Sequence, residues 1–234
     1  MSSDTKQADD RKPVQGLDQG LDQGLDAVRT YWDERATRHG DDCVKIESSK
    51  RAQRMRFENF VLAHDLGGRS VLDVGCGTGD LLEHLGRRGV KCSYVGVDLS
   101  GEMIAAARAK HGAGTFEAAN ILEWDPADEA RRFDYVTSFA VHNVRVPGGR
   151  ELLEKLTRQQ FALCRVAAHV SLLTDRFKGF DAHIQPWRAE EVLSLALSIT
   201  PYVVLRHDYL PNDFSVTMYR EPLIDTRRDL MLDR

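Results

Sequence analysis

The stretch Asp73-Val74-Gly75-Cys76-Gly77-Thr78-Gly79 constrains this chain more than any other. It joins a short apolar run, VLDV at 71–74, to a helical pattern from Asp80 to Arg88. Three glycines at alternate positions let the main chain turn tightly and approach a ligand with no Cβ in the way. A strand that runs through such a loop into a helix is the opening of a βαβ unit. The same rhythm continues downstream. Strands are predicted at 93–98, 115–119, 133–139 and 169–174, with helices over 101–110, 149–163 and 188–199. Short strands alternating with helices predict an α/β, doubly wound, mostly parallel sheet. The last two strands, 202–209 and 214–219, are separated only by 210–213, which predicts an antiparallel C-terminal hairpin and a sheet of seven strands.

Ahead of the Gly67-Gly68 break lie two helical patterns, 25–39 and 49–64, read as an N-terminal helical cap. The tetrapeptide QGLD occurs three times over 15–26. Its leucines recur every fourth residue, but each copy carries a glycine that costs about 1 kcal/mol in a helix. The expectation is a flexible tail over 1–26, a single domain over 27–225 whose cap spans 27–66, and a C-terminal tail over 226–234.

Composition narrows the function. Lys and Arg number 32 against 36 Asp and Glu, a net charge of −4, which argues against broad binding to DNA, RNA or anionic membranes. Lys50, Arg51, Arg54 and Arg56 form a local basic cluster, of which 50, 51 and 54 would share a helix face, read as solvated. No run approaches the roughly 18 apolar residues of a membrane helix, and the N-terminus lacks the apolar segment of a secretory leader. Cys43, Cys76, Cys92 and Cys164 are scattered, without a CxxC pair, as in a protein of the reducing cytoplasm. The eight histidines form no HxxxH or HxH pair, so no metal is expected.

The ligand at the glycine loop can be narrowed further. Asp98 closes the second strand, 19 residues after Gly79, where a carboxylate can accept both hydroxyls of a ribose. A dinucleotide loop would read GxGxxG/A, but counting from Gly75 the last position is Asp80. Asp73 and Asp80 flank the loop and would repel a pyrophosphate. They suit a cationic ligand that carries an ammonium group.

The segments VLDVGCGTGDLL (71–82), VGVDLSGEMI (95–104), AANI (118–121) and FDYVTSFAVHNV (133–144) resemble the Rossmann-like class I S-adenosylmethionine-dependent methyltransferase family, of small-molecule type. The resemblance implies that Gly75, Cys76, Gly77 and Gly79 line the methionine moiety, with Asp73 organising the loop or its ammonium contacts. It gives Asp98 the ribose hydroxyls, Leu99 and Met103 the adenine packing, and Asn120 with Ile121 the adenine edge. Phe139 would lie near the sulfonium.

A sulfonium methyl is already activated, so positioning and water exclusion matter most, and a base is needed only where the nucleophile arrives protonated. His142, just after the fourth strand, is the candidate base, its other reading being a structural hydrogen bond. Tyr31, Trp32, Asn143, Arg176, His183 and Trp187 are candidate substrate residues, from the cap and from the loops after the fourth and fifth strands. The function expected is methyl transfer from S-adenosylmethionine, leaving S-adenosylhomocysteine, to an oxygen or nitrogen of a small-molecule metabolite or natural product. Two alternatives stand beside it: a methyltransferase of RNA or protein, and a non-catalytic cofactor-binding partner subunit.

Overall fold

The structure, a computed structural model, describes residues 15–40, 42 and 49–224. Seven strands form one sheet: β1 (Ser70–Val74), β2 (Ser93–Asp98), β3 (Phe116–Ala118), β4 (Phe133–Phe139), β5 (Cys164–Leu173), β6 (Val203–Leu210) and β7 (Asp213–Tyr219). Their order is β3-β2-β1-β4-β5-β7-β6. Every pairing is parallel except those of β7, which runs antiparallel to both β5 and β6. The four residues between the expected late strands therefore do close a hairpin, and β7 inserts between β5 and β6. The chain leaves β1 in one direction through β2 and β3, then returns to its other side at β4. That reversal opens a crevice at the carboxyl ends of β1, β2 and β4, where ligands of open parallel sheets bind.

Among the described residues six α-helices flank the sheet: α1 (Gln15–His39), α2 (Lys50–Ala63), α3 (Asp80–Arg87), α4 (Gly101–His111), α5 (Gly149–Leu163) and α6 (Ala189–Leu197). Alternate residues of each strand feed two cores. Leu72, Val74, Val136, Ala168, Val170, Leu172, Val216 and Met218 pack with Leu152, Leu156 and Val192 on one face. Val71, Tyr135, Ala167 and Tyr219 pack with Phe57, Phe60, Leu81 and Ile104 on the other. Side chains protect the helix starts: Ser49 Oγ accepts the Ala52 N–H at 3.1 Å and Ser100 Oγ the Met103 N–H at 3.1 Å. Among the described residues no helix is long and apolar enough to cross a membrane.

The N-terminal expectation needs correction. Residues 15–26, read as flexible tail, are the first turns of α1. Leu21 and Leu25 of the repeats pack on the core beside Val28. Gly24 has a steric reason: a Cβ there would lie 2.4 Å from the Pro147 carbonyl oxygen, whereas one on Gly20 would meet nothing within 4 Å. Likewise a Cβ on Gly148 would lie 2.7 Å from the Gly20 carbonyl oxygen. The helix thus crosses the turn before α5 at backbone contact, and burial of the leucine stripe offsets the glycine penalty. Residues 1–14, Cys43 and the expected tail at 226–234 lie outside the described residues. β5 also begins five residues earlier than expected, because Cys164–Ala168 already pairs with the first half of β4.

Candidate active site

A cavity opens over the carboxyl ends of β1, β2 and β4, walled by the glycine loop, the end of β4, and helices α1 and α2. Three features of the loop account for its shape. Gly75, Gly77 and Gly79 all have positive φ, at 69°, 54° and 79°, a region that side chains bearing Cβ avoid. A Cβ on Gly75 would fall 2.4 Å from Val141 Cγ2, whereas one on Gly77 would meet nothing within 4 Å. Gly77 is therefore the point where main chain stands bare beside open space. Gly79 has another role than the one expected of it. It does not line the cavity, and a Cβ there would collide with Phe116 and His111 at 2.7–2.9 Å.

Asp98 Oδ2 accepts the Gly77 N–H at 2.9 Å and Oδ1 accepts the Ser100 N–H at 2.9 Å. Each oxygen keeps acceptor capacity, so the carboxylate can still receive two adjacent hydroxyls. Burial raises the Asp98 carboxyl above the usual range, against the pull of the two N–H bonds. Asp73, at the end of the buried β1, accepts the Tyr94 hydroxyl at 2.7 Å. Its pKa is raised to about 7 by burial, which the Tyr94 bond opposes and the Asp98 and Asp80 charges reinforce. A bound cation would favour the ionised form of both carboxyls. Burial likewise pushes the Cys76 thiol up, so it is a small apolar wall rather than a nucleophile.

Leu99, Met103 and Ile121 give the cavity an apolar side next to Asp98, and Asn120 lies beside them. The Asn120 amide caps a short turn, its Oδ1 accepting the Leu122 N–H at 3.1 Å and its Nδ2 donating to Glu123 Oε1 at 3.2 Å. From α1, Val28 and Trp32 cover this region, and Ser100 Oγ donates to Asp33 Oδ1 at 2.5 Å to fix the helix in place. Phe139 and Ala140 form the β4 wall. Ala140 has φ 64°, the one positive-φ residue other than glycine among the described residues. This turn throws Val141 over Gly75 and closes the loop from above.

His142 does not serve as expected. It is 4% exposed, lies off the cavity wall, and burial holds its pKa at about 4. A buried ring of lowered basicity that does not line the cavity gives the base assignment no support from the structure. The His142 carbonyl oxygen instead receives Trp187 Nε1–H at 2.9 Å. Trp187 is thereby a buried tie between two loops, and neither residue meets the cavity. The Asn143 carbonyl accepts the Gln185 N–H at 2.8 Å, part of the same tie. Arg176 is an exposed partner of Glu190. Tyr31 packs edge-on against Trp32 with ring centres 5.0 Å apart, and His183 lies 6.2 Å from Tyr31. Of the six candidate substrate residues only Trp32 reaches the wall.

The sequence predicts α2 within the pattern at 49–64, but not its place in the cavity wall. Gln53, Arg56 and Phe57 line the cavity. Arg56, grouped with the basic cluster, is not on a solvated face: it is 4% exposed, and Nε donates to Asp213 Oδ1 at 2.5 Å and Nη2 to Oδ2 at 3.3 Å. The signal was available in Phe57 and Phe60, whose apolar stripe buries the side of α2 that Arg56 shares. Among the described residues no group of three His, Cys, Asp or Glu side chains is placed to hold a metal ion.

Comparison with known proteins agrees with this geometry. Residues 71–159 match the family described as "Methyltransferase domain". The chain is 38% identical over 61 residues to trans-aconitate 2-methyltransferase of Afipia carboxidovorans, a match covering 26% of this chain and 24% of that protein. It is 32% identical over 166 residues to ubiquinone biosynthesis O-methyltransferase of Bradyrhizobium diazoefficiens, covering 61% of this chain and 64% of that protein. The matched region thus spans from about a quarter to under two thirds of these relatives' own length. Among solved structures, magnesium protoporphyrin IX methyltransferase from Synechocystis PCC 6803 with bound SAM superimposes with a TM-score of 0.63. That match covers 85% of this chain and 97% of the other at 15% identity, a likeness of fold.

Proposed function

We propose, for a chain that carries a class I S-adenosylmethionine-dependent methyltransferase domain, that it methylates an oxygen or nitrogen of a small-molecule metabolite or natural product. The observation that carries the reading is the donor set of the cavity: a twice-anchored Asp98 beside an apolar slot, next to a bare glycine loop and the buried Asp73. The set fits S-adenosylmethionine. Asp98 would accept the ribose hydroxyls, Leu99, Met103 and Ile121 would pack the adenine with Asn120 at its edge, and Gly75 and Gly77 would pass the methionine moiety with Asp73 near its ammonium. Bound there, the cofactor supplies a methyl already activated by positive charge on sulfur.

The chain's own residues then have three tasks. Phe139, Ala140 and Trp32 exclude water from the space beside the loop. Asp73 and Asp98 hold negative charge where a cation must sit, which their burial makes electrostatically strong. The α2 side chains Gln53, Arg56 and Phe57 wall the remaining volume, where an acceptor would be held in line. With His142 off this wall, the acceptor would reach it already deprotonated. Small-molecule acceptors are supported by the names of the relatives, a trans-aconitate 2-methyltransferase and a ubiquinone biosynthesis O-methyltransferase.

Methyl-labelled S-adenosylmethionine, incubated with extract of the source cells divided into small-molecule, RNA and protein fractions, tests the reading. Label in the small-molecule fraction, absent with Asp98→Ala, is the expected result. Label confined to RNA or protein would overturn the small-molecule assignment.

A further inference from the structure

We infer that a groove between α2 and α3 holds the acceptor by a carboxylate or a comparable oxyanion, with Lys50 and Arg54 as its recognition residues; the inference rests on the methyl-transfer reading. The groove, of about 1050 Å³ and open to solvent, is lined by Lys50, Arg54 and Phe57 of α2 and by Asp80, Glu83 and Arg87 of α3. Gln53, Phe57 and Asp80 line both this groove and the cavity over the glycine loop, so the two spaces meet along that wall. The Phe57 ring stands between them. Its centre lies 5.0 Å from that of Phe139, which lines the cavity, and 5.7 Å from that of His84, which lines the groove. An acceptor anchored in the groove and laid along Phe57 therefore reaches the β4 wall of the cavity.

Four cations and three carboxylates line the groove among the described residues, in a chain whose total charge is −4. Two of the cations have carboxylates of their own. Lys110 Nζ lies 2.5 Å from Asp80 Oδ1 and 3.2 Å from Glu83 Oε2, and Arg87 pairs with Glu83. Lys50 and Arg54 are exposed and form no ion pair among the described residues.

The fold does not recover the cost of placing them there. Lys50 and Arg54 are four residues apart on one helix, a spacing at which like charges repel. The first turn of α2 contains no acidic residue, so Lys50 also sits against the positive end of the helix dipole. An anion in the groove offsets both repulsions at once. Arg51 carries the same charge but does not line the groove, so the two sides of the helix separate a recognition role from a merely solvated one.

The test divides the small-molecule extract at pH 7 on a quaternary-amine resin before reaction. Retained and flow-through pools are each given methyl-labelled S-adenosylmethionine and enzyme. The expected result is label from the retained pool. For the acceptor isolated from that pool, KM should rise about 5- to 30-fold in the double variant Lys50→Ala/Arg54→Ala, the scale of two solvent-screened charge contacts. kcat and cofactor affinity should stay close to wild type, which a general loosening of the fold would not allow. Arg51→Ala removes a charge outside the groove and should leave KM unchanged. A tenfold rise in ionic strength, which shortens the screening length about threefold, should raise KM for the wild type and hardly move it for the double variant. Label from the flow-through pool alone, an unchanged KM in the double variant, or an equal rise in Arg51→Ala overturns the inference. A wild-type chain that binds no S-adenosylmethionine overturns the methyl-transfer reading instead, a separate failure.

Discussion

Arg56 and Asp213 stand 157 residues apart in sequence, and their pairing pins the N-terminal cap to the last strand of the sheet. The side chains are 4% and 1% exposed, so neither charge has water to fall back on. Replacing Arg56 by Met leaves the Asp213 carboxylate buried without its cation, a loss of about 3–5 kcal/mol. Asp213→Leu should cost a similar amount, for the mirror reason. The double variant removes both charges and fills the volume, and should lie within about 1 kcal/mol of wild type. The two single losses would sum to roughly 6–10 kcal/mol if independent, so the coupling energy is large and favourable to the double variant. Urea unfolding followed by tryptophan fluorescence measures all four corners of the cycle. In a chain of this size about 3–5 kcal/mol corresponds to a fall in Tm on the order of 10 °C, well outside error. A double variant as unstable as either single would refute the reasoning. It would mean that the guanidinium acts through packing on α2 rather than through its charge.

Asp98→Ala removes the acceptor of two main-chain N–H groups and of the ribose, so the Kd for S-adenosylmethionine by calorimetry should rise by about 100-fold or more. An unchanged Kd would remove the ribose assignment. Ala140→Gly relieves a left-handed residue at the price of a freer unfolded chain, for a net gain of about 0.5 kcal/mol; a Tm that falls instead would show that the alanine methyl is packed to advantage. Stability should also depend on pH with two opposing signs. His64 and His142, held at about 4 by burial, bind protons more readily when unfolded, so their contribution is complete above pH 6.5 and is lost as pH falls towards 4. Asp73, raised to about 7, acts the other way: its contribution is complete below pH 3.8 and is lost as pH rises through 7. Asp73→Asn should therefore steepen the loss of stability between pH 6.5 and 5 by up to about 1.4 kcal/mol per unit, and urea midpoints parallel to wild type would contradict the raised carboxyl.

The loop and the sheet were legible because their constraints are local. Gly75, Gly77 and Asp98 report positive φ and a strand end through residue type and spacing alone, and the alternation of strands and helices is written in periodicity. Arg56 was illegible for the opposite reason. Its partner Asp213 is remote in sequence, and on α2 it sits among Lys50, Arg51 and Arg54 as one more positive charge. His142 and Trp187 misled because proximity to a strand end does not fix which way a side chain points. The positive φ of Ala140 re-aims the chain directly after β4, and His142 goes into the interior. The QGLD glycines were read by intrinsic propensity, whereas Gly24 serves a close backbone crossing that only the packed partner reveals.

Those repeats have a consequence for how the protein can change over generations. Four residues advance a helix by about 6 Å and turn it by about 40° beyond a full circle, so the copies at 19–22 and 23–26 present their glycine and leucine along nearly the same side. The unrepeated Val28, Trp32 and Asp33 select which copy meets Pro147 and Gly148, because they hold the helix over the cavity from its other end. Gain or loss of one QGLD unit by slippage during replication therefore substitutes an equivalent tooth at the crossing. It alters only the length of the amino end, and the roof over Asp98 keeps its place.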